Sequence, residues 1–270
     1  MTAPPSPLRV VIHGVSGRMG QEVLRALLST PDLVPVGGVH RRALAPTFPL
    51  PGGKGVIPLA PSLGVLLEQV PADVVVDFTT AEGCLQAART ALPRHIPLVT
   101  GTTGLSPAAL EEMDRLAREH GVGVIAAPNF ALGAVLLIHL ARLVGKYFDY
   151  AEIIEAHHEA KVDAPSGTAL AIAHALVEGR GKPFSRPRPE KEPVGGSRGA
   201  EVQGVGIHAL RMPGRLAHHE VVLGAAGQTL SLRHDTLTRE CYMPGVLLAL
   251  RRVTAYKGLV FGLDKVLGLV

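Results

Sequence analysis

The chain has 270 residues, enough for two domains or one large one. It is 47% hydrophobic and 19% charged, which suits a substantial core, and it holds no apolar run long enough to span a membrane. Lys and Arg number 27 against 23 Asp and Glu, a formal charge of +4, but the basic residues are dispersed, aromatics are only 4% and Trp is absent. That argues against a base-stacking nucleic-acid surface, while a basic balance fits an enzyme whose ligands are anions. Cys84 and Cys241 lie too far apart in sequence to suggest a disulfide framework, and Met1 to Leu8, with Pro4, Pro5 and Pro7, does not read as a signal peptide. The expectation is a reducing, cytoplasmic setting.

Leu8 to His13 (LRVVIH) reads as a buried strand. Gly14, Val15, Ser16, Gly17, Arg18, Met19 and Gly20 follow at once. Gln21 to Ser29 then has a helical pattern, with Val23, Leu24, Leu27 and Leu28 apolar. Strand, glycine turn and helix is the context of a dinucleotide-binding fingerprint, although the spacing is GxxGxxG and not GxGxxG. Such a turn lets a pyrophosphate approach the backbone at the helix N-terminus. A second strand, Leu33 to Val39, ends in His40, Arg41 and Arg42. An acid in this region binds the ribose 2′-OH of NAD, and none is present. The three residues, with Arg18, can instead receive a 2′-phosphate, which favours NADPH over NADH. The alternative is a solvated surface pair.

Ala43 to Pro61 is rich in Pro and Gly and reads as loop, followed by a short helix over Leu63 to Val70. Ala72 to Phe78 (ADVVVDF) is the clearest strand. After it come a helix over Ala81 to Leu92, a strand over Pro97 to Thr100, a helix over Ser106 to His120 and a strand over Gly123 to Ala127. This alternation predicts a doubly wound parallel sheet in an α/β fold. Ligands bind outside the carboxyl ends of such strands. Gly101, Thr102 and Thr103, and Ala127, Pro128, Asn129 and Phe130, stand there and are candidates for the nicotinamide half of the cofactor. Read singly, each is also compatible with an ordinary turn.

Gly133 to Phe148 reads as a long apolar helix and Tyr150 to Ala156 as a strand. Glu155-Ala-His-His-Glu-Ala-Lys-Val-Asp-Ala-Pro-Ser-Gly-Thr168 then packs His157, His158 and Lys161 against the start of a helix over Thr168 to Glu178. Asp163 or Ser166 can cap that helix, and Pro165 suits its start. Free N–H groups of Ser166, Gly167 and Thr168 would hold a carboxylate or phosphate, Lys161 adds charge, and a histidine moves a proton near neutral pH. The plain alternative is a strand, a polar loop and a capped helix. Adjacent histidines are poorly spaced for one ion, so no metal is expected. Gly179 to Gly199 reads as a solvated loop. Val202 to Arg211, Ala217 to Leu223 and Gln228 to Asp235 alternate as strands, giving with Tyr150 to Ala156 an open sheet of about four strands. Its uncovered face predicts an oligomer. Met243 to Tyr256 reads as a final helix and Phe261 to Val270 as an apolar tail. There is no internal repeat.

Taken in order, the GxxGRMG turn, the GTTG segment, Pro128-Asn129-Phe130 and EAHHEAKVDAPSGT closely resemble the dihydrodipicolinate reductase family of lysine and diaminopimelate biosynthesis. The resemblance covers nearly the whole chain. It implies a Rossmann-type dinucleotide-binding domain over 1–130, completed by 240–270. It also implies an α+β substrate-binding and oligomerisation domain over 131–239, with an open mixed sheet that builds a homotetramer. It puts the cofactor on Gly14 to Met19, Gly101 to Thr103 and Ala127 to Phe130, His157 in the acid/base position and Lys161 as proton donor. His158, Gly167 and Thr168 would hold a cyclic dicarboxylate, and the anion reading of the residues adds Ser166. The implied reaction transfers a hydride from NAD(P)H to the ring of 4-hydroxy-tetrahydrodipicolinate, with loss of water. Two departures stand out. Many members carry an acid where this chain has His40. A Gly-Glu-His element of some relatives appears as Ala217-His218-His219, read here as surface histidines on a strand end. Competing readings are another two-domain dehydrogenase acting on an acyclic substrate, and an NADP-binding redox sensor without turnover. The compact proton-transfer cluster argues against the sensor.

Overall fold

The computed structural model describes residues 6–43, 45–53 and 55–269. The chain forms two compact units, Met1–Phe130 with Tyr242–Val270, and Ala131–Cys241. The first unit begins with β1 (Leu8–His13), α1 (Arg18–Leu28), β2 (Leu33–Val39), β3 (Thr47–Pro49), β4 (Val56–Ala60) and α2 (Leu63–Leu67). It continues through β5 (Val74–Asp77), α3 (Ala81–Ala91), β6 (Leu98–Thr100), α4 (Pro107–Glu119) and β7 (Gly123–Ala126). The second unit runs α5 (Leu132–Gly145), β8 (Tyr150–His157), α6 (Gly167–Arg180), β9 (Ala200–Val202), β10 (Val205–Arg211), β11 (Ala217–Ala225) and β12 (Gln228–Thr236). The chain then completes the first unit with α7 (Met243–Arg252), β13 (Gly258–Phe261) and α8 (Leu263–Leu267).

Among the described residues, the first unit holds a sheet in the order β13-β7-β6-β5-β1-β2-β4-β3, parallel throughout except for β3 against β4. Val10, Val11 and Ile12 of β1 and Val74, Val75 and Val76 of β5 are fully buried. Continuous apolar strands of this kind belong in a parallel sheet covered on both faces. Strand order reverses between β1 and β5, so their carboxyl ends, His13-Gly14 and Asp77, flank the switch point where ligands of such sheets bind. Pro35 is accommodated because the register of β2 against β1 shifts there. The loop expected over Ala43 to Pro61 in fact contains β3 and β4, the expected apolar tail over Phe261 to Val270 contains α8, and β13 fills the stretch just before that tail and ends on its first residue. These strands are three to five residues long and rich in Pro or Gly, so they lack the periodicity that marks a strand in sequence. Pairing on the sheet supplies what the local pattern does not.

The second unit is a five-stranded mixed sheet in the order β12-β11-β8-β10-β9, one strand more than expected. Helices α5 and α6 pack on one face. Alternation along β8 sends Ala151, Ile153, Glu155 and His157 to that face, where Ile207, Val221 and Leu223 join Ile153 in the core. Helix α6 meets this core with Ala169, Ile172, Ala173 and Leu176, a spacing that puts all four on one side. Burying each of the larger aliphatic side chains contributes about 1.5–3 kcal/mol. Ser166 caps the start of α6 and Gly181, at φ +73°, ends it. The two helices approach closely. A Cβ on Gly145 would sit 2.5 Å from the carbonyl oxygen of Leu176, and one on Gly179 would sit 1.8 Å from that of Arg142.

Backbone cannot yield there as a flexible side chain can. Gly179→Ala is therefore expected to lower stability by about 1–3 kcal/mol through overpacking, seen as a lower thermal midpoint. Gly195→Ala meets open space and should leave the midpoint nearly unchanged.

Candidate active site

In the first unit the glycine turn is shaped by contacts a side chain would block. Gly14 has φ +89°, and a Cβ there would lie 2.8 Å from the carbonyl oxygen of Phe78. At Gly20 it would lie 2.1 Å from the carbonyl oxygen of Gly14, so α1 rests on the turn. The turn is tied to β2 by Gly14 N–H and Val15 N–H, both donated to the Val39 carbonyl at 3.0 and 3.3 Å. Val15 is itself buried, against Gly38, and presents no side chain to a ligand. Gly17 stands at the N-cap of α1 in extended conformation and provides no side-chain acceptor, unlike Ser62, Thr80 and Ser106 on α2, α3 and α4. The first turn of α1 thus keeps donors for an anion. Ser16 and Arg18 are exposed and Met19 is half-buried beside them.

Asp77 organises the neighbouring strand ends. Its buried carboxylate accepts from Thr79 Oγ1 (2.7 Å), Thr100 Oγ1 (2.9 Å) and Thr102 Oγ1 (2.6 Å), and it meets His13 Nδ1 at 2.7 Å. Burial pushes the carboxyl up, but the hydrogen bond and charge of His13 and the hydroxyls of Thr102 and Thr79 hold it below the usual carboxylate range. Thr102 is consequently spent on structure, since its Oγ1 also accepts the N–H of Thr79 at 2.9 Å. Gly101 lies against the Phe78 ring with no room for a Cβ, and Thr103 is exposed. Ala127 and Phe130 are buried, Phe130 edge-on to Phe78 with centroids 6.0 Å apart. Pro128 is exposed and Asn129 half-buried. His40, half-buried, and the exposed Arg41 and Arg42 follow the carboxyl end of β2. All four candidate cofactor segments therefore leave the same edge of the sheet.

In the second unit the centre is a residue that sequence reasoning passed over. Glu155 is fully buried on the helix-facing side of β8. Its Oε2 lies 2.5 Å from His157 Nδ1 and accepts from an Arg211 terminal nitrogen at 3.0 Å. Its Oε1 accepts from the other Arg211 terminal nitrogen at 2.8 Å and from Ser166 N–H at 3.1 Å. Burial pushes this carboxyl up, but the hydrogen bonds from His157, Arg211 and the Ser166 amide outweigh it and hold it at about 2. Arg211 comes from β10, whose parallel register sets it beside His157, and it also donates to the Asp163 carbonyl at 2.6 Å. The expected free N–H of Ser166 is thus occupied by Glu155. Gly167 and Thr168 keep theirs, with no partner among the described residues. Of the two caps considered, Ser166 is the one used, its Oγ accepting from Ala169 N–H at 3.1 Å.

The strand ends at His157 and the chain bends, with Lys161 N–H donating to the His158 carbonyl at 3.1 Å. His158 and Glu159 are exposed. The Lys161 ammonium reaches Asp163 at 2.6 Å, and that contact holds the Asp163 carboxyl below its usual value. The expectation that His218 and His219 are surface histidines is overturned. His219 is only 3% exposed, its ring 5.3 Å from that of His157 and its Nε2 3.1 Å from Ser166 Oγ. The cross-strand register puts His219 opposite Glu155, on the inner face. His218 points the other way, paired with its cross-strand neighbour Asp235 at 2.7 Å. One signal for the inner set was present in the sequence: Glu155 and His157 share the parity of Ala151 and Ile153, which places a carboxylate on a core face. Arg211 and His219 had none, because their approach depends on strand register.

The N-terminal model of dihydrodipicolinate reductase matches residues 8–130, and the C-terminal model matches 133–267. The chain belongs to the dihydrodipicolinate reductase family. It is 50% identical over 264 residues to a 4-hydroxy-tetrahydrodipicolinate reductase of Dehalococcoides mccartyi, covering 98% of this chain and all of that one. The Moorella thermoacetica protein of the same name is 44% identical, over 96% of this chain and 98% of its own. A dipicolinate-bound dihydrodipicolinate reductase from Paenisporosarcina sp. TG-14 superposes with a TM-score of 0.86 at 35% identity, over 96% and 99% of the two chains. An amine dehydrogenase from Mycobacterium smegmatis, at 16% identity and a TM-score of 0.64, shares the fold.

Burial pushes His219 down to about 4, with the charge of His157 adding to the effect. An imidazole in the unfolded chain takes its proton near 6.5, so the unfolded state binds the extra proton first as pH falls. Stability is lost across the window from 6.5 down to about 4. Between pH 7 and pH 5 this group should cost about 2 kcal/mol. Urea titrations at the two pH values should show the difference, and His219→Gln should reduce it.

Proposed function

We propose that this chain reduces 4-hydroxy-tetrahydrodipicolinate to tetrahydrodipicolinate, with NADPH favoured over NADH. The observation that carries the reading is the set of groups between β8 and α6. An imidazole held by a buried carboxylate, an ammonium and two helix N–H groups without a partner among the described residues lie within one short segment. Gly167 and Thr168 N–H are matched to a carboxylate of the substrate, and His158 and Lys161 add donors beside them. Lys161 is the proton donor to the carbon that gains charge, and His157 is the acid/base group. Loss of the 4-hydroxyl as water completes the change in the ring. Ser166, also expected at the substrate, acts through the turn it anchors.

A nicotinamide dinucleotide fits the first unit. The Gly14–Gly17–Gly20 cradle has no space for a side chain at Gly14 or Gly20, α1 starts without a side-chain cap, and Arg18, Arg41 and Arg42 are exposed. When bound, the reduced dinucleotide supplies a hydride. Gly14 to Met19 would hold its pyrophosphate, and His40, Arg41 and Arg42 a 2′-phosphate. Gly101 to Thr103 and Ala127 to Phe130 would line its nicotinamide half, with Thr102 acting by holding the segment in place. The outer face of the second unit's sheet exposes Tyr150, Ile154 and Leu210, with Met212 just beyond β10. That apolar face supports coverage by further copies of the chain, and a cytoplasmic homotetramer is the assembly inferred.

The decisive assay follows oxidation of each reduced dinucleotide, with substrate generated from aspartate semialdehyde and pyruvate by the preceding synthase. Oxidation that depends on the synthase product is expected. None, from a folded chain that binds dinucleotide, would reject the assignment. Lys161→Ala should reduce turnover by about 10²–10⁴-fold and leave dinucleotide affinity nearly intact. Replacing Arg41 and Arg42 by Ala should weaken NADPH by about 10–100-fold, since charge-assisted hydrogen bonds contribute about 1.5–3 kcal/mol. NADH should be little affected, and equal losses would remove the 2′-phosphate role.

A further inference from the structure

Resting on that reading of the site, the geometry points to Glu155 as its positioning carboxylate. We propose that Glu155 holds His157 in the single tautomer with Nδ1–H turned inward, so that Nε2 alone is presented to substrate. The same carboxylate anchors the turn that presents the Gly167 and Thr168 amides.

Each step rests on a contact. An ionised carboxylate can only accept, and Glu155, held at about 2, is ionised at neutral pH. His157 Nδ1, 2.5 Å from Oε2, must then carry the hydrogen. The other ring nitrogen has no partner among the described residues, and it is not buried away from solvent. With Nδ1 fixed as donor, Nε2 is the atom at which a proton can be taken or given, as in other sites where a buried carboxylate orients an imidazole. Oε1 accepts the Ser166 amide, one residue before the two N–H groups that remain open. A single side chain therefore fixes the imidazole and the helix start relative to each other.

Two neighbours keep the device rigid. Arg211 grips both oxygens of Glu155, so the carboxylate cannot rotate away from either partner. His219, neutral near pH 7 with its proton affinity pushed down to about 4, packs edge-on to His157 and bonds Ser166 Oγ. It closes the inner side of the cluster without adding a second positive charge. Glu155 itself acts only through His157 and the Ser166 amide.

The test has two independent arms. On the unmodified chain, ¹⁵N NMR of the histidines, with His157 assigned by difference against His157→Gln, should show Nδ1 protonated and Nε2 free of hydrogen in the neutral ring. An Nε2–H tautomer, or a mixture of the two, would overturn the proposal whether or not the chain proves to be a reductase. In the second arm, Glu155→Gln keeps shape but replaces one acceptor oxygen by a donor. Turnover should fall by at least tenfold with KM for the synthase product changed less than threefold, and Glu155→Asp should recover part of the loss. A Glu155→Gln protein with normal turnover and the Nδ1–H tautomer retained would reduce Glu155 to a structural strut. If Glu155→Gln does not fold, the NMR arm still decides.

Discussion

A carboxylate without access to water must be satisfied from inside the protein, and the residues that satisfy Glu155 are the ones the second unit is built to bring together. They come from four places: the end of the same strand, the start of α6, the end of β10 and, through Ser166, the first residues of β11. Leaving such a charge unpaired costs several kcal/mol, so these partners are held with corresponding force. The apolar half of the same face, with Ile153, Val221, Leu223 and the buried stripe of α6, supplies the rigid support. Polar and apolar ends of one sheet face thus divide the work between chemistry and stability.

The first unit uses the same device with different donors. Asp77 ends β5 at the switch point of the parallel sheet and accepts three threonine hydroxyls as well as meeting His13. Those partners belong to β1, to the chain after β5, and to β6 and the segment that follows it. The end of β1 and the turns after β5 and β6 are therefore pinned by a buried charge, not left to the flexibility common in loops. The groups exposed on that edge include Arg18, Thr103, Pro128, Arg41 and Arg42.

Sequence halves and structural units do not coincide in this chain. The C-terminal family model begins at residue 133 and runs to 267, yet α7, β13 and α8 pack within the first unit. Strand β13 extends the parallel sheet beside β7, with Gly258 to Phe261 paired against Gly123 to Ala126. Gly245 on α7 lies so close to the Phe130 carbonyl that a Cβ would reach it at 2.2 Å. The last thirty or so residues are thus a structural part of the nucleotide-type fold, although they follow the second unit in the chain.

Local chemistry carried much of this in the sequence alone. The β-branched runs at Leu8–His13 and Val74–Asp77, the glycines that follow β1, the Ser106 and Ser166 caps and the His157–Lys161 cluster act over a few residues, so composition and spacing reveal them. Tertiary structure alone decided which strands pair and in what register. That is why β3, β4 and β13 were invisible to periodicity, why His219 turned inward while His218 faced out, and why Arg211 arrived at Glu155 from 56 residues away. The same closure took the Ser166 amide out of the anion site. A buried charge selects its partners by distance in space, and distance in space is a property that neighbours in sequence do not encode.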